Sequence, residues 1–338
     1  MALKIQQLNA DTVFLLTFSP PPSPNSNDHT TQSFTVLTDP WLQGDSSILH
    51  PAFQLAHHSH EPAIQSLTEL EKQPDLILIS QDKPDHCHKD TLCSLPADTK
   101  IPILATPAAA KKIRSWRYFD AGNISAILPY DGGKTEDNVV RIPVGGDQEG
   151  GDQITIANMP AKRDMTGVHN VLGITYHSPS ADRPFSMIYT PHGVSNETLE
   201  PYLKHHLEPN NAFPVTALLH CMNTEENPKI LGGMVAHGAP KGVELAKRIQ
   251  AKHWVGVHDE YKNLQGLATA WIKSTAYELE DVKAMLEESG CSGTQAHRLE
   301  IGGNLTINAD GKVIEDQSTS RTQPAAVNGT SDTTAPPG

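Results

Sequence analysis

Paired cysteines, excess basic charge and long apolar runs are all missing from this chain. Its four cysteines, Cys87, Cys93, Cys221 and Cys291, include no C-x-x-C pair. The simplest reading is reduced thiols in a cytoplasmic protein. Lys and Arg number 26 against 39 Asp and Glu, a net charge of −13. Nucleic acid and anionic membrane surfaces require clustered cations, so neither is expected as a partner. No apolar stretch reaches the roughly 18 residues of a membrane helix. The first residues also lack the basic start, long apolar centre and small-residue cleavage site of a secretory signal. Four N-x-S/T matches, at Asn123, Asn196, Asn304 and Asn328, therefore read as chance.

What the chain does have is 338 residues, enough for one large domain, and 17 histidines whose positions can be read one by one. Residues 3–8 and 13–18 are β-rich, with Asn9-Ala10-Asp11 as the turn. Residues 20–32 and 131–152 are polar or Gly-rich and read as loop inserts in a domain spanning 1–315. From 316 to 338 the composition is rich in Ser, Thr, Pro, Ala and Gly, with few large apolar groups. Too little apolar surface is present there to offset chain entropy, so a disordered tail is expected.

Between these segments short apolar strands alternate with amphipathic helices. Strands are expected at 34–37, 76–79, 101–104, 154–157, 171–177, 185–190, 215–220 and 254–257. Helices are expected at 62–72, where Ser59 is a candidate cap, and at 89–95, 107–117, 242–250 and 275–289. The same strand–helix grammar recurs in both halves, which suggests two similar halves packed into one domain.

Four strands are followed directly by polar, metal-capable residues. These are Asp39 after 34–37, the run Ser80 to His88 after 76–79, Pro191-His192-Gly193 after 185–190, and His258-Asp259-Glu260 after 254–257. Strand ends hold side chains on a stiff scaffold, as a metal or catalytic site needs. His57-His58-Ser59-His60 reads as a solvated loop or as a lip on the mouth of the site, and His205-His206 as surface. Cys87 reads as packing, since nothing in the sequence supplies it with a base.

The order of these elements resembles the metallo-β-lactamase superfamily, in particular its cytosolic branch of ascorbate-phosphate-lactonase-like hydrolases. Thr38-Asp39-Pro40-Trp41, the run from Leu76 to His86, Tyr189-Thr190-Pro191-His192-Gly193 and Val255-Gly256-Val257-His258 stand where that family carries its motifs. The resemblance spans roughly residues 1–266. It implies an α/β fold, a four-layer αββα sandwich of the metallo-β-lactamase type.

The family motif S/T-H-x-H-x-D-H is degenerate here. Gln81 and Lys83 stand at its two leading histidine positions, while Asp85 and His86 remain. An amide is a poor zinc ligand, and a lysine ligates only as the neutral amine. The resemblance then implies one divalent metal on Asp85, His86, His192 and His258, zinc first, with iron or manganese as alternatives. Asp39, Gln81, His88 and His169 are expected to pack behind these ligands.

His192 is equally readable as a turn residue, and His88 as a surface side chain on the first helical turn. For Lys83 the alternatives are an ion pair with Asp82 or Asp85, or a catalytic cation beside Asp85. The implied function is hydrolysis of an ester, lactone, thioester or phosphoester of a small molecule through a metal-bound hydroxide at a mononuclear site. A catalytically silent relative that binds a small molecule or a protein is the alternative. The oligomeric state has no sequence signal.

Overall fold

The computed structural model describes residues 1–21, 33–48, 50–132, 138–145, 150–164 and 166–318. Most of the 20–32 insert and the tail beyond 318 lie outside the described residues.

Two β-sheets face each other. The first has eight strands, in the order Val313–Asp316, Asn304–Asn308, Ala2–Gln7, Phe14–Ser19, Phe34–Thr38, Leu76–Ile79, Ile103–Ala105 and Ile124–Ala126. The second has seven: Gln295–His297, His253–Gly256, Ala217–His220, Phe185–Thr190, Asn170–His177, Gln153–Pro160 and Val139–Pro143. Each sheet is antiparallel on one side and parallel on the other. The parallel pairs run from Phe34–Thr38 through Leu76–Ile79 and Ile103–Ala105 to Ile124–Ala126 in the first sheet, and from Phe185–Thr190 through Ala217–His220 and His253–Gly256 to Gln295–His297 in the second. Parallel strands carry their chain ends to one edge, and these are the strands whose ends bear the polar residues.

Strand parity sorts the core into layers. In Leu76–Ile79, Leu76 and Leu78 pack between the sheets with Leu16, Val36, Ile174 and Tyr189. Ile77 and Ile79 point the other way, against Ala109, Ala110 and Ile113 of the helix Pro107–Ser115. Such a strand is buried on both faces, which is why its sequence is a continuous apolar run. Across the molecule, Leu218 and Trp254 pack outward on Val243 and Ala246 of the helix Gly238–Ile249 and on Val282 and Leu286 of the helix Leu279–Glu288. Helix, sheet, sheet and helix make four layers.

Two elements differ from the sequence reading. Residues 62–72 form no α-helix, only a 3₁₀ turn at Leu67–Glu69. The Ala63 N–H donates to Leu8 O instead of entering a helix, and Gln73 Nε2 caps Leu67 O. Ser66, not Ser59, supplies the capping oxygen. Ile64, Leu67 and Leu70 still reach the outer core, so the helical spacing was real but served a tertiary path. The 131–152 insert is not all loop, since it carries the edge strand Val139–Pro143, paired antiparallel with Gln153–Pro160. At the far end, Gln317 N–H donates to Asn304 O, so ordered pairing passes the expected boundary at 315.

Candidate metal centre

Asp39 is the first residue after its strand and takes a left-handed φ of 37°. That turn drives its carboxylate under the neighbouring strand, where it is fully buried. It accepts hydrogen bonds from Ser80 N at 2.7 Å, from Ser80 Oγ, from Tyr189 Oη at 2.7 Å and from His86 Nδ1 at 2.8 Å. A carboxylate so bonded is an acceptor only, so the His86 Nδ1 proton points at it. The lone pair of His86 is therefore at Nε2.

The other two imidazoles are fixed in the same way. His258 also adopts a left-handed φ, 60°, and its Nδ1 donates to Asp11 Oδ1 at 2.8 Å. His192 Nδ1 donates to Val235 O at 3.0 Å. All three rings thus present bare Nε2 atoms. These converge, with donor atoms all within 4.8 Å of one another. Ring centroids lie 5.1 Å apart for His86 and His192, 5.0 Å for His86 and His258, and 4.4 Å for His192 and His258.

His86 Nε2 and His192 Nε2 are 3.1 Å apart. Two lone pairs that close repel unless a cation lies between them. Tetrahedral zinc with Zn–N bonds of about 2.0–2.1 Å sets its nitrogens about 3.3 Å apart, close to this spacing. Asp85 Oδ2 lies 3.8 Å from His86 Nε2 and 3.9 Å from His258 Nε2, in reach of the same point. Its Oδ1 is buried with no hydrogen-bond partner. Donor chemistry, spacing and an unsatisfied carboxylate oxygen together fit a divalent metal.

Electrostatics agree with the geometry at His192 and Asp85, while at His258 they favour the protonated ring, whose Nε2 proton a metal would have to displace. Burial lowers the His192 pKa well below the usual histidine value, and the neighbouring His258 and His86 add to it. The ring is neutral, as a ligand must be. Burial also opposes charge on His258, but Asp11 outweighs it and raises its pKa. Asp85 is held below the usual carboxylate range despite burial, by His86, Lys262 and His258.

The remaining sequence-singled residues are dispersed. Lys83 Nζ lies 3.3 Å from Asp82 Oδ1 and lines a cavity of about 90 Å³ with Asp85, His192, His258 and Lys262. Gln81 is buried, and neither amide atom has a hydrogen-bond partner. His169 supports the His192 turn, Nδ1 to Gly193 O at 2.9 Å and Nε2 to Met234 O at 3.0 Å. His88 differs from both readings. It is neither a surface side chain nor a support for the ligands. It is buried and caps the helix Lys89–Leu92, accepting from Thr91 N. Its Nε2 lies 3.3 Å from Asp45 O.

His206 is buried too, not surface. It stacks on Tyr202 at 4.9 Å and meets Thr155 Oγ1 at 3.2 Å. His58 is held by Glu260, whose side chain is fully buried, and its ring lies 3.8 Å from that of Trp41. With His57 and His60 it lines a separate open groove of about 410 Å³. Cys87 is buried among apolar groups, and burial pushes its thiol up to about 12, so it is no nucleophile.

Three contributors escaped sequence reading. Asp11 looked like a turn residue, and Asn9 Oδ1 does make that turn, accepting from Asp11 N and Val13 N. Only the tertiary fold carries the turn to His258, 247 residues away. Tyr189 lies inside a strand, and Lys262 had no motif. The one available signal for Lys262 was its place four residues past His258.

No protein-family model matches the chain, and no curated protein does. Solved structures match it over most of its length, Igni18 and CmlA among them. Igni18, described as a novel metallo hydrolase from the archaeon Ignicoccus hospitalis, has a TM-score of 0.51 at 12% identity, covering 91% of this chain and 99% of that one. CmlA, a diiron β-hydroxylase from Streptomyces venezuelae, has a TM-score of 0.52 at 12% identity over 90% of this chain. The match spans about half of CmlA's length, 54%. Two facing sheets flanked by helices, with the polar cluster at the strand ends, make this a metallo-β-lactamase fold. Among the described residues no helix is long and apolar enough to cross a membrane.

Proposed function

We propose that the protein is a metal-dependent hydrolase with one metal centre on His86, His192, His258 and Asp85. The carrying observation is the convergence of three buried imidazole Nε2 atoms, each oriented by an acceptor on its Nδ1. It is the single cluster of this kind among the described residues. A divalent ion held there would supply Lewis acidity and an acidified water, with a pKa near about 7 for zinc. Zinc suits the imidazole-rich set, with iron or manganese as alternatives.

The chain's own groups define the rest. Asp39 and Asp11 keep His86 and His258 in the Nδ1–H tautomer and oppose their rotation. Asp85 Oδ1, buried and without a partner, is placed to take a proton from the attacking water. Lys83 lines the same cavity and can polarise a carbonyl or phosphoryl oxygen. The substrate is a small molecule with an ester, lactone, thioester or phosphoester bond. The acidic chain argues against nucleic acid.

The test is elemental analysis of the purified protein, followed by a hydrolysis panel over those four bond types before and after chelation. About one equivalent of metal, with hydrolysis lost on chelation and restored on return of the ion, is the expected result. A metal-free protein, or chelator-indifferent hydrolysis, refutes the reading. A second reading, a silent binding protein, is favoured by Gln81 and Lys83 standing where the resemblance places histidines. It predicts ligand binding without turnover.

A further inference from the structure

The hydrolase reading leaves one buried cation unexplained. Only 11% of the Lys262 side chain is exposed. Its Nζ pairs with Asp11 Oδ2 at 3.0 Å and lies 5.7 Å from the centre of the Trp41 ring. One of the three ammonium N–H groups serves Asp11 Oδ2 at this distance. His258 Nδ1 is 3.2 Å from Nζ, but its proton is committed to Asp11 Oδ1, so it offers no lone pair. Lys262 therefore keeps N–H groups to donate, and it faces the cavity of about 90 Å³ that also receives Lys83, His192 and His258. The ion pair with Asp11 holds the ammonium in place, and the Trp41 ring limits where it can move.

Two lysines, Lys262 and the Asp82-paired Lys83, thus line one small space beside the histidine cluster. Ile48, Leu264 and Ile272 form apolar walls there, which strengthen any charge contact made between them. Asp85 and Glu225 also face this space, so an anion is favourable only in direct contact with the lysines. We propose that Lys262 is a substrate-contacting residue that, with Lys83, receives an anionic group of the substrate, a carboxylate or a phosphate, next to the bond that is cleaved. The word substrate rests on the hydrolase reading, while the anion contact itself does not.

The experiment is calorimetric titration of inorganic phosphate, and separately of acetate, into the protein as purified, with metal content measured on the same samples. Native protein is expected to bind one of the two. Phosphate binding assigns a phosphoryl group, and acetate binding a carboxylate. Lys262→Met should weaken that binding about tenfold or more at unchanged metal content, as loss of one charge-assisted contact does. Lys262→Arg should retain most of it.

Because Lys262→Met strands Asp11, a destabilised single variant is replaced by Asp11→Asn with Lys262→Met, which removes the pair together and keeps an acceptor for His258. Binding of neither anion by the native protein overturns the proposal. So does native-strength binding in the Lys262→Met variant, or in the double variant where that is used. A native protein without metal sinks the hydrolase reading alone, because the lysine dependence of anion binding is still read.

Discussion

Replacing Asp39 by Asn changes one atom and should disable one metal ligand. The Asp39 carboxylate accepts from four donors: Ser80 N, Ser80 Oγ, Tyr189 Oη and His86 Nδ1. An Asn at this site has one acceptor oxygen and one donor NH₂. The oxygen stays with Ser80 N, because a backbone N–H cannot reverse. The NH₂ then faces Oγ, Oη and Nδ1. The two hydroxyls can rotate to accept. His86 can accept only by moving its proton to Nε2, the atom that faces His192 at 3.1 Å. A protonated Nε2 is not a ligand.

Loss of such a supporting contact typically costs 10–100-fold in metal affinity, or about 1.4–2.7 kcal/mol. The four hydrogen bonds also lose their charged acceptor, at about 1 kcal/mol each, partly offset by no longer burying a charge. We expect a metal titration of Asp39→Asn to show affinity reduced at least tenfold, with the melting temperature lower by a few degrees. Imidazole ¹⁵N shifts of the metal-free protein should report His86 as the Nε2–H tautomer. Native metal affinity with His86 still protonated at Nδ1 would refute the tautomer argument.

His258→Ala should take metal content from about one equivalent to near zero by elemental analysis, since three ligand groups remain at most. A variant that keeps a full equivalent would exclude His258 as a ligand. Gly193→Ala should cost roughly 2–5 kcal/mol, read by chemical denaturation. The residue has φ +78°, and an added Cβ would sit 2.5 Å from His220 Nε2. A change below about 1 kcal/mol would show that this turn relaxes freely. Stability should also fall in mild acid. Burial lowers the His206 pKa to about 4, with Arg141 adding to it, while the unfolded residue titrates near 6.5. Between those values only the unfolded state takes the proton, so stability is full above pH 6.5 and lost as pH falls toward 4. By pH 5 this amounts to about 2 kcal/mol. His206→Asn should flatten the fall between pH 7 and pH 5 relative to native, and an unchanged slope would contradict it.

Much of the fold was legible because it rests on local pattern. The run Leu76–Ile79 declared a strand buried on both faces, and 107–117, with Lys and Arg toward its C-terminal end, read as a helix that the structure forms at Pro107–Ser115. Polar residues at four strand ends declared where chemistry could sit, and four of them, Asp85, His86, His192 and His258, come together in the structure. Side-chain alternation and backbone hydrogen bonding act over a few residues, so they leave their mark in sequence.

What the sequence could not carry was the identity of each partner. His88 looks like its neighbour His86 in sequence, yet one caps a helix and the other joins the three-histidine cluster that could hold a metal. The 62–72 segment has helical spacing, but Leu8 O claimed the Ala63 N–H first. Asp11 and Lys262 became part of the site because packing of the two sheets brings a hairpin turn at residue 11 against the loop after residue 257. Hydrogen bonds and ion pairs depend on contact at about 3 Å, and contacts between residues 247 positions apart are settled by which faces the whole core buries, not by any local run of residues.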